Sequence, residues 1–314
     1  MTLVRSKISF AVLAVLSTTL YANENDQNTT TSAQDNTVEL GTIVINAEND
    51  DVLGQTSYNK EDLENIPNSS KNITDFLKVN PNVQFGNAFR SGLQQGELKA
   101  SDISINGGLA YDNKITINGI SSNNTLNPVG AVQSNDPNQI MGSSQAGSIN
   151  ADLICNLNVL DSNVSAEYGE FTGGVVAAQT CAPQTEVGKI HGSISYDYTS
   201  DDWSKYNFPS QAELEEFENS TEESAQPYFT KQGISLNTYG RLTESLGFNA
   251  FGSYRHSAIP LKTHFAESGR FEQERESSNA GLELFYNPTE NTALKIGANF
   301  LEDAGLFAKS NILD

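Results

Sequence analysis

From Gly188 onward, apolar and polar side chains alternate with a period of two. Ile190, Ile194, Tyr196 and Tyr198 fall on one face of a first segment, against Lys189, His191, Ser193 and Asp197. Ile234 and Leu236 share a face of a second, with Gln232 and Thr238. Phe248, Ala250, Gly252 and Tyr254 mark a third; Ala280, Leu282, Leu284 and Tyr286 a fourth; Leu294, Ile296, Ala298 and Phe300 a fifth. Side chains alternate faces along a strand, so the pattern predicts five strands with one apolar and one mostly polar face. The connections alternate too. Thr199–Pro227 and Pro260–Ser277 are long, whereas Thr243–Gly247 and Asn287–Asn291 are short. A soluble sandwich needs no such rhythm; a membrane barrel, with long loops on one side and tight turns on the other, does.

Upstream the period disappears. Lys60–Asn65 is predicted to be a short helix stopped by Pro67. A second helix, capped by Ser69 or Ser70, would carry Ile73, Phe76 and Leu77 and end before Pro81. Strands are expected near Asp102–Ile105 and Lys114–Asn118. A further strand, Leu157–Leu160, leads through Ala166-Glu167-Tyr168-Gly169 and the pair Gly173-Gly174 into Val175–Ala178. That stretch predicts one helical turn stopped by glycine, then a tight corner. Gly169 and Gly174 are expected at positive φ, Gly169 ending the turn and Gly174 admitting close approach of the following strand.

Three segments, in order, carry a resemblance. Asp161–Val176, with Glu167, Tyr168, Gly169, Gly173 and Gly174, resembles the late-plug signature of TonB-dependent outer-membrane receptors. Asn72–Val83 is similar to that family's helix-proline segment, with Asn82 where glycine is usual, and Ile115–Ile120 to its central strand and turn. The resemblance implies an α+β plug domain with a small mixed sheet, followed by antiparallel strands of an incomplete transmembrane β-barrel. The plug would span residues 48–187 and the first five or so barrel strands 188–314. Five strands cannot close a barrel, and the last residues, Asn311–Asp314, lack a terminal aromatic, so the chain reads as the N-terminal portion of a receptor.

The N-terminus adds an export signal. Arg5 and Lys7 precede an apolar run from Ile8 to Leu16, too short to span a bilayer, and Tyr21-Ala22 offers a cleavage site, giving a signal peptide at 1–22. Residues 23–41 are polar and expected to be a disordered linker. Thr42, Ile43, Val44, Ile45, Asn46 and Ala47 then form an isolated β-favouring run. It either joins its own domain or, as the resemblance implies, is a TonB box whose Thr42–Asn46 pair as a strand with a TonB-like periplasmic energy-coupling protein. Cys155 and Cys181 flank the signature in a protein bound for an oxidising compartment. They form either a disulfide or two free thiols, and a disulfide is the better fit. Antiparallel pairing would set 155 opposite 181 and 161 opposite 175.

Composition narrows the partners. A formal net charge of -21 argues against a nucleic-acid or anionic-lipid partner, since both are held by basic patches. Two cysteines and three scattered histidines argue against a metal site, and no nucleophile elbow, phosphate loop or Ser/His/acid grouping marks an enzyme or a cofactor. The acidic run Glu213–Glu218 reads as solvated loop rather than a cation trap. Irregular polar segments at Phe85–Gln95 and Ser121–Ile149 supply the candidate ligand-facing apices: Asn87, Phe89, Arg90, Gln94, Asn123 and Asn124. The function expected is energised uptake of a small external ligand, of siderophore type by family resemblance, by a receptor whose apolar face meets outer-membrane lipid. The alternative is a surface binding or adhesion protein, in which the 42–47 strand would have no role.

Overall fold

The computed structural model describes residues 54–86, 92–126, 144–183, 186–221, 225–262, 269–289 and 292–306. The signal peptide, the linker, the 42–47 strand and the apical Asn87, Phe89 and Arg90 lie outside them. Two sheets dominate. The first is mixed and small: β1 (Gln55–Asn59), β6 (Ile154–Leu160), β7 (Val175–Thr180), β4 (Lys114–Ile117) and β5 (Ile120–Ser121), in that spatial order. β4 and β7 run parallel; the other neighbours are antiparallel. A separate ribbon pairs β2 (Val83–Phe85) with β3 (Ile103–Ile105). Leu157, Val159, Val176, Ala178, Ile115, Ile73, Phe76, Leu77, Ile103 and Ile105 are buried together as the core. Each large aliphatic side chain buried there stabilises by about 1.5–3 kcal/mol.

α1 is Lys60–Asn65, as the sequence predicts, with Asn59 and Asp62 forming a reciprocal capping box. The second helix is different: Ile73–Val79 is a 3-10 helix started by Asn72, with no side-chain cap. Ser70 does not cap it, because its hydroxyl donates to the buried Asp75 carboxylate inside the first turn. Between β4 and β5, Asn118 (φ 52°) and Gly119 (φ 81°) make the Asn-Gly turn that hairpins favour.

The glycine expectations need correction. Neither Gly169 nor Gly174 has positive φ; in that stretch the left-handed positions are Asn163 and Glu170. Lys114 Nζ meets the Glu170 carboxylate at 2.7 Å and holds it below the usual carboxylate range. A Cβ on Gly169 would touch nothing, but one on Gly174 would lie 2.6 Å from Ile105 Cγ2 and 2.8 Å from Leu160 O. Gly174 is therefore needed for close packing, not for backbone freedom. Gly169→Ala should leave stability within about 0.5 kcal/mol, whereas Gly174→Ala should cost about 1–3 kcal/mol in a thermal melt. Equal losses would contradict this packing.

Cys155 and Cys181 are joined as a disulfide closing a sequence separation of 26. The strand register around it is one residue off the expected one: Leu160 pairs with Val175 and Leu157 with Ala178, and a bulge falls between Ile154 and Asn156. That extra residue is Cys155. The bulge lets its side chain reach Cys181, just past the end of β7.

The second sheet contains the five alternating segments as β8 (Ile190–Ser200), β9 (Thr230–Arg241), β10 (Leu246–Lys262), β11 (Arg270–Thr289) and β12 (Thr292–Leu306). Each is antiparallel to its sequence neighbours, and among the described residues this wall is not closed. β10 and β11 run further than expected, absorbing Pro260 and residues 270–277. Pro260 is tolerated because β9 begins at Thr230, opposite Ala258, so β10 has lost that neighbour by Pro260. The long 201–229 connection is not all loop as expected: it contains α2 (Gln211–Glu218). Ser210 caps α2, and Phe217 packs against Tyr206 and Phe208.

Candidate functional site

The wall is inside out relative to a water-soluble sheet. Its apolar face is bare: Ile194 is 74% exposed and Tyr196 66%, with Ile234, Leu236, Leu282, Leu284 and Ile296 also exposed. Its polar face is covered: Asn249, Arg255, Ser257, Gln273, Asn279 and Glu283 are each 3% exposed or less. What covers it is the first domain. Phe251, an inward aromatic on β10, joins that domain's hydrophobic core.

Polar contacts pin the two together at several depths. Near the short-turn end, Glu283 of β11 accepts from Asn118 Nδ2 at 2.8 Å and Thr180 Oγ1 at 2.6 Å, while Asn249 and Lys295 reach it from the neighbouring strands. Asn237 Nδ2 donates to Cys181 Sγ at 3.1 Å. Midway, Asn279 brackets the chain at Ser148 and Asn150, accepting from Asn150 N–H at 2.7 Å and donating to Ser148 O at 3.0 Å.

At similar depth Asp152 accepts from Ser195 (2.5 Å) on β8, Ser235 (3.0 Å) on β9 and Lys71 (2.9 Å). Burial works to raise the Asp152 pKa, but these hydrogen bonds and the Lys71 charge outweigh it and hold the carboxyl below its usual range.

Toward the long-connection end a cavity of 960 Å³ opens between domain and wall, lined by Gln94, Gln95, Glu97, Lys99 and Asp102 on one side and Thr199, Phe229 and Lys231 on the other. Of the candidate apices, Gln94 lines this cavity. Asn123 does not serve as a free apex: its carbonyl accepts from Ile115 N–H at 2.9 Å and its amide donates to Asn113 O at 2.6 Å, tying down β4. Asn124 takes the Leu126 N–H at 3.0 Å. Glu167 is exposed and Tyr168 half-buried, bonding back to Ser165 O; Gly173 abuts the Asn113 side chain. Sequence reasoning missed Glu283, Asp152, Lys231 and Phe251. Period-two alternation shows which face a residue occupies but not what stands opposite.

A small mixed-sheet domain seated on the polar face of an antiparallel, apolar-out wall defines a plugged β-barrel architecture. Residues 49–176 match the family model of the TonB-dependent receptor plug domain, and the chain belongs to the TonB-dependent receptor family. It is 30% identical over 219 residues to YddB of Escherichia coli K12, covering 69% of this chain and 28% of YddB. The crystal structure of the outer membrane transporter YddB superposes with a TM-score of 0.69 at 26% identity, over 80% of this chain and 33% of that one. The siderophore receptor PirA from Acinetobacter baumannii (20% identity, TM-score 0.51) and the ferric enterobactin receptor PfeA from Pseudomonas aeruginosa (17%, 0.52) share the fold. Each is covered over about a third of its length, by 80% and 81% of this chain. The chain thus spans about a third of the length of these relatives.

Proposed function

We propose that this chain is the plug and first wall strands of an outer-membrane receptor that imports a small external ligand using energy from a TonB-like partner. One observation carries the reading: polar wall residues buried against the plug, with apolar residues bare on the other side. Such a wall suits lipid outside and a filled lumen inside. In this reading residues 1–22 direct export, 23–41 are a spacer, and Thr42–Asn46 add as a strand to the energy-coupling protein. The long connections face the exterior and the short turns the periplasm. Strands beyond these five would complete the barrel. The cargo proposed, a siderophore-type iron complex, rests on family membership, and two fold neighbours carry names of that class.

The test is uptake of radio-iron as a panel of ferric siderophores by iron-starved cells expressing the receptor. At least one complex should accumulate, and a protonophore should stop accumulation while sparing surface binding. Binding without protonophore-sensitive accumulation would favour the adhesion reading.

A further inference from the structure

Three side chains from adjacent strands stand in one row on the inner face of the wall. Ser257 of β10 is opposite Lys231 of β9 on one side and Arg275 of β11 on the other. All three are buried. They reach three consecutive plug residues in the same order. Lys231 Nζ donates to Gln95 O at 2.8 Å, Ser257 Oγ to Gly96 O at 2.6 Å, and Arg275 Nε to the Glu97 carboxylate at 3.1 Å. The turn lies this close because Gly96 has no Cβ: one would fall 2.8 Å from Phe229 Cβ and 3.0 Å from Ile259 Cγ1.

The same turn is also held by the long 201–229 connection. Gln226 N–H donates to Leu93 O at 2.8 Å, and Ser204 Oγ to Gln95 Oε1 at 3.1 Å. The deeper plug contacts at Asp152, Asn150 and Thr180 end on strand residues, whose positions the sheet fixes. Here a connection outside the sheet shares the turn with the strands. Gln94, Gln95 and Glu97 of the turn, Phe229 at the end of the connection and Lys231 of the wall also border the 960 Å³ cavity. Moving the turn off the wall therefore removes one side of that cavity.

We propose that Leu93–Glu97 is a latch. It ties the 201–229 connection to the plug and forms one side of the half-open cavity, so that displacing the connection strips the turn from its row and widens the cavity's mouth. The inference rests on the receptor reading above, in which the long connections face outward.

The experiment uses the receptor as the cell makes it, with one reporter thiol at Ser101→Cys on the cavity wall. Within this chain Cys155 and Cys181 are paired, and any labelling of the parent receptor without the reporter is subtracted. Intact cells are labelled with a membrane-impermeant maleimide. Arg275→Met, which removes the charged bond, should speed labelling about tenfold, as expected for loss of one charge-assisted hydrogen bond, and Gly96→Val, which pushes the turn off the wall by steric clash, should also speed it. A reporter at Thr116→Cys, buried on β4 and outside the cavity lining, should stay unlabelled in both backgrounds. Unchanged labelling at Ser101→Cys in the variants overturns the latch, as does a matching rise at Thr116→Cys, which would mean that the whole plug had loosened. If Gly96→Val fails to assemble, Arg275→Met decides alone. A third reporter, Lys205→Cys in the connection, separates the two readings. Its failure to label would sink the outward orientation, whereas labelling there without any variant effect sinks only the latch.

Discussion

Ile43→Pro or Val44→Pro in the receptor is expected to abolish energised uptake while leaving ligand binding at the outer face intact. Edge-on strand pairing takes most of its affinity from main-chain hydrogen bonds, so it tolerates many side chains. Proline removes the N–H and fixes φ, and it breaks the ladder wherever that donor is used. Leaving a partner carbonyl unpaired costs about 1–3 kcal/mol, a loss of roughly five- to a hundredfold in pairing from one position. Alanine keeps the main chain and should do much less. Surface binding and protonophore-sensitive accumulation of the same ferric complex, measured on the same cells, separate the two steps. Undiminished uptake in both proline variants would refute the coupling role of Thr42–Asn46 and leave adhesion as the better account.

The second large effect is expected at Glu283. Its carboxylate is 1% exposed and gathers four partners: Asn118 and Thr180 from the plug, Asn249 and Lys295 from the wall. Glu283→Ala would strip all four at once and leave the Lys295 ammonium without its ion-pair partner. Lys295 is about a third exposed and can rehydrate, so the cost comes chiefly from the buried Thr180 and Asn249 groups left without their acceptor, about 1–3 kcal/mol each. Amide exchange at 117–119 and 179–181, where the plug sheet meets β11, should accelerate by about a hundredfold or more on that cost. Glu283→Gln keeps the shape and part of the hydrogen bonding, so its effect should be smaller. Exchange in Glu283→Ala within about threefold of the parent would show that the plug sheet is held without this contact.

Both variants probe what the alternation could only half describe. Its period placed Glu283 opposite Leu282 and Leu284, on the polar face. A polar face could equally meet water, and only the plug seated on it turns Glu283 into a buried clamp. The row of Lys231, Ser257 and Arg275 was hidden for a related reason. These residues stand on three strands, and their alignment depends on register, which a two-residue period cannot set to better than a slip of two. Phe251 ran against the pattern as an apolar residue on the polar face, because at that point the lumen is filled by the plug's own core.

The disulfide shows the same division. Export and the flanking of one signature stretch brought Cys155 and Cys181 together on paper. The sequence could not show that a bulge would carry Cys155 to its partner, because a bulge is set by packing on both sides of β6. At Gly174 the sequence points to a close approach but not to the partner: what excludes a side chain there is Ile105, about 70 residues earlier in the chain. Local sequence by itself determined the elements that depend on near neighbours: the short α1 with its cap, the Asn-Gly turn, the five alternating strands and the order of plug before wall. Only the tertiary structure decided which polar groups are buried, which glycine must stay bare and which plug turn the wall grips, because each of these depends on residues far apart in the chain meeting across the lumen.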